Sequence, residues 1–208
     1  MIKVLVIDTG WSAVVIGNYI EKELPVNVKE IINNNCELED TENTIRPYIG
    51  EVDIIVLSNP IISAKFGRYF ESKYPGQKFI SYGWDLSETI QRYKKVMIFT
   101  PKRLRTSECY QIEKAKCQEQ EIVELDCEKW VSMITSGGIT LTEEANKEME
   151  AFKGETIIIN SSELLGIEDK LKKVINWRGD LIDLREGIVT AIEDYLNMKK
   201  VPSRGRAR

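Results

Sequence analysis

The sequence contains no histidine. That excludes His-containing zinc sites, His-based nucleophile triads and imidazole acid–base catalysis. Four cysteines occur, Cys36, Cys109, Cys117 and Cys127, and no Cys-x-x-Cys pair. Reduced, partly buried thiols in a reducing compartment are expected. No apolar run approaches the roughly 18–20 residues that span a bilayer. The opening segment, MIKVLVIDTG, lacks the apolar stretch and cleavage pattern of a secretory signal and looks like a first β-strand. A cytoplasmic location and no membrane partner are therefore expected. Neither G-x-G-x-x-G nor G-x-x-x-x-G-K-[ST] is present. No cofactor and no metal are expected.

What is there is an ordinary globular composition. The chain has 208 residues, 42% of them hydrophobic and 30% charged. A chain of this length buries about 70% of its unfolded surface and needs no staple. The net charge of −4 conceals an asymmetry. Lys199, Lys200, Arg204, Arg206 and Arg208 crowd the last ten residues, and the remainder carries a net charge of −9. An acidic body argues against a nucleic-acid partner. For the basic tail two readings stay open, an anion contact or a solubilising end.

Continuous Val/Ile/Leu runs suit parallel strands covered on both faces. They predict strands over Lys3–Asp8, Val26–Ile32, Val52–Leu57, Lys78–Tyr82, Lys95–Phe99, Glu121–Leu125, Thr156–Ile159 and Asp180–Leu184. Helices are expected over Ala13–Leu24, from Thr106 or Ser107 to about Gln118, from Thr142 towards Phe152, over Leu164–Ile175, and from Arg185 to Met198. Strand–helix alternation at this spacing gives an α/β fold. The spacing of the first four strands is echoed by that of the last four. The expectation is two small domains with mostly parallel sheets, related by a pseudo-two-fold. Residues 1–94 plus 178–200 would form the first, 95–177 the second, and 201–208 a basic tail.

In open parallel sheets, ligands bind beyond the carboxyl ends of the strands. The residues there are Asp8, Thr9, Gly10 and Ser12; Ser58 and Asn59; Thr100; and Ser161 and Ser162. Hydroxyls, amides and helix N-termini hold carboxylates and phosphates well, so a small anionic molecule or amino acid is the expected partner. The same residue types also cap helices, and both readings stay open. A cysteine site is disfavoured. Cys127 stands between Asp126 and Glu128, whose charges raise a thiol's pKa when close in space.

The order of these segments resembles the aspartate/glutamate racemase superfamily, and glutamate racemase in particular, over nearly the whole chain. Asp8-Thr9-Gly10 resembles the family's Asp-Ser-Gly. Arg46-Pro47-Tyr48-Ile49-Gly50 resembles its Pro-Tyr-Gly with one residue inserted. Ser58-Asn59-Pro60 falls on its Cys-Asn-Thr. Thr106-Ser107-Glu108-Cys109-Tyr110 echoes its Gly-Thr-x-x-Ser-x-x-Tyr. The stretch from Cys127 to Ile134 resembles Cys-Pro-x-x-Val-Pro-x-x-Glu. Asn160-Ser161-Ser162-Glu163-Leu164-Leu165 falls on Gly-Cys-Thr-His-Tyr-Pro.

The resemblance implies two cysteines facing an amino acid's α-carbon from opposite sides. Ser58 and Ser161 stand at those positions here, Glu163 at the adjoining histidine and Pro60 at the adjoining threonine. A thiol titrates near 8.5, whereas a serine hydroxyl is a weaker acid by several units, at about 1.4 kcal/mol each. Two-base racemisation by thiols is therefore not expected. The resemblance leaves Asp8, Ser12, Tyr48, Asn59 and Ser162 as ligand contacts, and implies a homodimer. Two functions follow. One is a racemase-fold protein without the cysteine pair, binding a small carboxylate or amino acid or acting as a regulatory or interaction protein. The other is an isomerase, lyase or hydrolase with altered chemistry, in which Asp8 or Glu163 is the base and Ser58 or Ser161 a nucleophile or hydrogen-bond donor. The Asp-Thr-Gly tripeptide also resembles the first phosphate loop of actin-like ATPases, but no companion loops stand at the other strand ends.

Overall fold

A computed structural model describes residues 1–33, 35–83, 85–128, 143–166 and 168–200. Eight strands run through them: β1 (Ile2–Asp8), β2 (Val26–Ile32), β3 (Ile54–Leu57), β4 (Lys78–Ser81), β5 (Lys95–Thr100), β6 (Glu121–Asp126), β7 (Thr156–Ile159) and β8 (Asp180–Asp183). Among the described residues the helices are α1 (Ser12–Glu23), α2 (Leu38–Ile45), α3 (Pro60–Lys73), α4 (Leu86–Ile90), α5 (Lys102–Arg105), α6 (Glu108–Ala115), α7 (Glu143–Ala151), α8 (Glu168–Val174) and α9 (Arg185–Lys200). Short 3-10 turns cover Arg46–Tyr48 and Ser162–Leu164. The expected segment beyond Glu128, its Thr142 helix start and the tail from Val201 lie outside the described residues.

The strands form two four-stranded sheets with the same order, β2-β1-β3-β4 and β6-β5-β7-β8, and all pairings are parallel. This is the expected architecture. Burial explains which runs are most apolar. Central β1, β3, β5 and β7 are covered on both faces, and Val4–Ile7, Ile54–Leu57, Val96–Phe99 and Ile157–Ile159 are fully buried. The edge strands β2 and β8 are only partly covered and tolerate Lys29, Glu30 and Asp180. Residues 178–184, expected with the first domain, run along the second sheet instead. There β8 pairs β7 from Thr156–Asp180 to Ile159–Asp183. The return to the first half is made by α9, which packs on α1 and β4.

Alternate residues of β1 serve two cores. Leu5 and Ile7 face Ile45, Ile62, Phe70 and Phe79 under α2 and α3. Val4 and Val6 face Ile16 and Ile20 of α1 in a cluster that continues unbroken into Val96–Phe99 and Ile157–Ile159 of the second half. The two halves are thus joined by packed apolar surface. Arg185 adds a polar clamp: its fork holds Asp183 at 2.7 and 2.9 Å and Glu168 at 2.7 Å, and its guanidinium lies 4.9 Å from the Tyr19 ring.

A second polar hub ties α2 to α3. Glu42 Oε1 accepts from Lys73 Nζ at 2.6 Å and from the Tyr74 hydroxyl at 2.8 Å, and Oε2 accepts from Tyr69 at 3.1 Å. The Lys73 ammonium, then Tyr74, hold the Glu42 carboxyl down to about 2 from the usual 4.5. A depressed carboxyl stabilises the fold above its unfolded value and loses that contribution as pH falls through the folded one. Glu42→Gln is accordingly expected to melt below wild type at neutral pH. The gap should close between pH 4.5 and about 2, as followed by circular dichroism; a gap independent of pH would contradict this role. No helix among the described residues is long and apolar enough to cross a membrane.

Candidate functional site

The carboxyl ends of β1, β3 and β7 meet where the two halves join. Asp8 closes β1 and is fully buried. Its Oδ1 accepts from the Thr9 N–H at 2.6 Å, from Asn59 Nδ2 at 3.3 Å and from the Ser162 hydroxyl of the other half at 3.4 Å. Its Oδ2 lies 3.0 Å from Ser58 Oγ, which is also 2.9 Å from the Ile7 carbonyl. A carbonyl oxygen only accepts, and a serine has one proton to give. A protonated Asp8 resolves the arrangement, with Oδ2–H donating to Ser58 Oγ and Ser58 donating to Ile7. Burial pushes the Asp8 carboxyl above its ordinary range, against the opposing pull of Thr9, Asn59 and Ser58. Geometry and desolvation therefore favour the same neutral form.

Asn59 organises the centre of the cluster. Its Oδ1 caps α3 by accepting from the Ile61 and Ile62 N–H groups at 2.9 and 3.1 Å. Its Nδ2 donates to Thr9 Oγ1 at 2.9 Å as well as to Asp8. Pro60 follows at the first helical position, where its missing N–H costs nothing. One side chain thus caps α3 and ties Asp8 to Thr9. Cys36, from the loop after β2, points its thiol at Asn59 Oδ1 over 4.0 Å; it is a neighbour that the strand-end reasoning did not include.

The other expected residues fall into three groups. Ser12 opens α1 and Thr100 closes β5. Both are fully buried, and both hydroxyls lack a hydrogen-bond partner among the described residues, although Ser12 is near enough to draw on Asp8 weakly. Ser161 is fully buried and stands just before the 3-10 turn that carries Ser162, where its backbone carbonyl, not its hydroxyl, accepts from the Leu164 N–H at 3.3 Å. Gly10 sits in the β1–α1 turn, where its carbonyl accepts from the Ala13 N–H at 3.2 Å and a Cβ would meet nothing. Glu163 lies in the same 3-10 turn as Ser162, and its side chain is outside the described residues. Tyr48 is not brought to the cluster. It precedes β3, at the amino end of the sheet, with Lys29 Nζ 4.7 Å from its ring. Because β3 runs parallel to β1, residues before and after it lie at opposite ends of the sheet.

The register adds a residue that the sequence reasoning missed. Ile7 stands beside Leu57 in the first sheet, and Phe99 beside Ile159 in the second. The next N–H then bonds back in the same way in each, Ser58 to Ile7 at 3.0 Å and Asn160 to Phe99 at 2.8 Å. Asn160, rather than Ser161, is level with Ser58. The signal lies in the parallel spacing of the two strand ends, Leu57-Ser58 and Ile159-Asn160, whereas the family resemblance puts Ser161 at that place. Hydroxyl, carboxamide and carboxyl groups thus occupy the strand ends. The cysteines are all free thiols, with Cys117 and Cys127 buried.

No protein-family model matches this chain, and no curated protein matches it in sequence. Solved structures do match in fold. Glutamate racemase from Escherichia coli, in complex with L-glutamate and the activator UDP-MurNAc-ala, aligns with a TM-score of 0.79 at 13% identity, covering 100% of this chain and 86% of that one. Glutamate racemase from Francisella tularensis, in complex with D-glutamate, aligns at 0.75 and 14% identity over 99% and 84%. Aspartate racemase from Picrophilus torridus aligns at 0.64 and 14% identity, covering 94% of each chain. The fold is that of these glutamate and aspartate racemases, carried by a chain without a close cysteine pair.

Proposed function

We propose that this chain is a racemase-fold binding protein. It takes a small carboxylate or amino acid between its two halves, at the strand ends, and does not interconvert enantiomers by a thiol pair. The observation that carries this reading is the Asp8–Ser58–Asn59–Ser162 network, which puts donors from both halves on one buried carboxyl. Ser162 and Asn59 can turn from Asp8 to an arriving carboxylate, and a neutral Asp8 does not repel it. Ser12 and Thr100 supply two further buried hydroxyls with no described protein partner. Carboxylate oxygens are strong acceptors for such groups.

A raised carboxyl is also what a general acid needs, so altered chemistry through Asp8 is the second reading. It requires Asp8 to touch a reacting atom once the halves part.

Binding is tested by melting the protein with D- and L-aspartate, D- and L-glutamate, succinate and glutarate. At least one is expected to raise the melting temperature saturably. Ser12→Ala and Thr100→Val should lose that rise, and Thr100→Val should leave the unliganded protein as stable as before or slightly more so, since its hydroxyl gives up no described partner. No shift with any of the six, or undiminished shifts in both variants, would remove the strand ends as the binding site.

A further inference from the structure

We propose a second binding site, adjoining the strand-end cluster at Asn160, for a small molecule bearing a primary carboxamide. A cavity of about 290 Å³ lies between α3, the edge strand β4 and the α5–α6 segment. This volume is at the small end of the ~300–1,000 Å³ usual for small-molecule sites. Phe79, Ile80, Leu86 and Leu104 give it apolar walls, the exposed Arg68 and Glu71 and the half-buried Lys78 also line it, and Asn160 reaches it from the end of β7.

Most polar groups of its lining are already committed. Ser63 Oγ donates to the Leu57 carbonyl and accepts from the Tyr82 N–H. The Tyr82 hydroxyl donates to the Ile159 carbonyl at 3.2 Å, and that of Tyr110 to Glu124 at 2.6 Å. Glu113 accepts from Ser87 and Lys116, both at 2.6 Å. Cys109 directs its thiol at the Ala64 carbonyl over 3.0 Å. The Asn160 carboxamide differs. It is 3% exposed, lines the cavity, and makes no side-chain hydrogen bond among the described residues. Gly83, with a φ of +72°, keeps the neighbouring backbone free of a side chain; a Cβ there would stand 3.4 Å from Asn160 Oδ1.

A buried carboxamide presents a donor and an acceptor side by side in one plane. A partner carboxamide meets both at once. A carboxylate meets only the N–H and turns an oxygen towards Oδ1. The Asn160 carboxamide therefore favours an amide head, and the walls formed by Phe79, Ile80, Leu86 and Leu104 an apolar body.

Benzamide is the probe, with benzoate as its charged isostere. Cys109 lines the cavity and reports occupancy through its alkylation by iodoacetate, read by peptide mass spectrometry. Benzamide is expected to protect Cys109 saturably in the wild-type protein, benzoate about tenfold less well or not at all, and Cys36 labelling to be unchanged by either. Asn160→Ala should weaken protection about tenfold or more, and Ala64→Leu, which fills the cavity from α3, should abolish it. Should either variant fail to fold, the benzamide–benzoate comparison on the wild type decides alone. Absence of protection by benzamide, equal protection by benzoate, or undiminished protection in a folded Asn160→Ala would overturn the proposal.

Discussion

Asp8→Asn raises the melting temperature of this protein, and the gain grows with pH. In the fold, Oδ1 of residue 8 only accepts, from Thr9, Asn59 and Ser162, while Oδ2 faces Ser58 Oγ at 3.0 Å. An asparagine keeps each of those contacts and adds one N–H. Its Oδ1 keeps the three donors, and its Nδ2 donates to Ser58, which goes on donating to the Ile7 carbonyl. Burial raises the Asp8 carboxyl above 3.8. A raised group gives its full contribution below the unfolded pKa and loses it as pH climbs through the folded one. Wild type therefore loses stability across a window that opens near 3.8 and extends upward, and the asparagine variant does not. Each kcal/mol recovered is worth about 2–4 °C in a chain of this size. Melting curves of both proteins across that window test the sign. A variant less stable than wild type throughout, with the deficit widening as pH rises, would mean that the ionised carboxylate is the form held.

Asn59→Ala produces the opposite and larger change. The side chain caps α3 through two N–H groups and donates to both Asp8 and Thr9. Loss of the cap costs about 1 kcal/mol. Leaving buried partners short of a donor adds about 1–3 kcal/mol. Together they lower the melting temperature by roughly 5–15 °C. Asn59→Asp separates the two contributions. A carboxylate caps a helix N-terminus at least as well as an amide, but it cannot donate to Asp8 and places a second carboxyl beside it. That variant should be destabilised at neutral pH and recover as pH falls and one carboxyl of the pair takes up a proton. Equal losses in the two variants at every pH would show that the contacts to Asp8 and Thr9 contribute little.

The eight strands were legible because a parallel sheet covered on both faces demands continuous Val/Ile/Leu runs, and such runs have sharp ends. The β3 run begins at Ile54 rather than Val52, because Asp53 is engaged with Lys3 and Lys199 in the turn before it. Helix α3 is the main element that periodicity did not reveal. It buries Ile61, Ile62, Gly67 and Phe70 between the sheet and the neighbouring half, so its apolar residues do not keep to one stripe. Its real signature is local, an Asn cap followed by Pro at the first helical position. At the site, Asp8, Thr9, Ser58, Asn59 and Ser162 come together because each follows the end of a central strand, a rule of topology that the sequence does expose. Tyr48 fails the same rule, lying before its strand. Asn160 was hidden because its importance comes from register and from the cavity wall, and neither is visible until the two sheets are set side by side.

The most direct measurement is proton exchange at the α-carbon. The purified protein is incubated in deuterated water with D- and L-amino acids, aspartate and glutamate included, and mass spectrometry follows deuterium at that carbon, with Asp8→Ala as the control. A binding protein without a thiol pair gives no incorporation above the protein-free rate. Incorporation above that rate, lost in Asp8→Ala, would show that α-proton abstraction runs through Asp8 and that the protein is an enzyme.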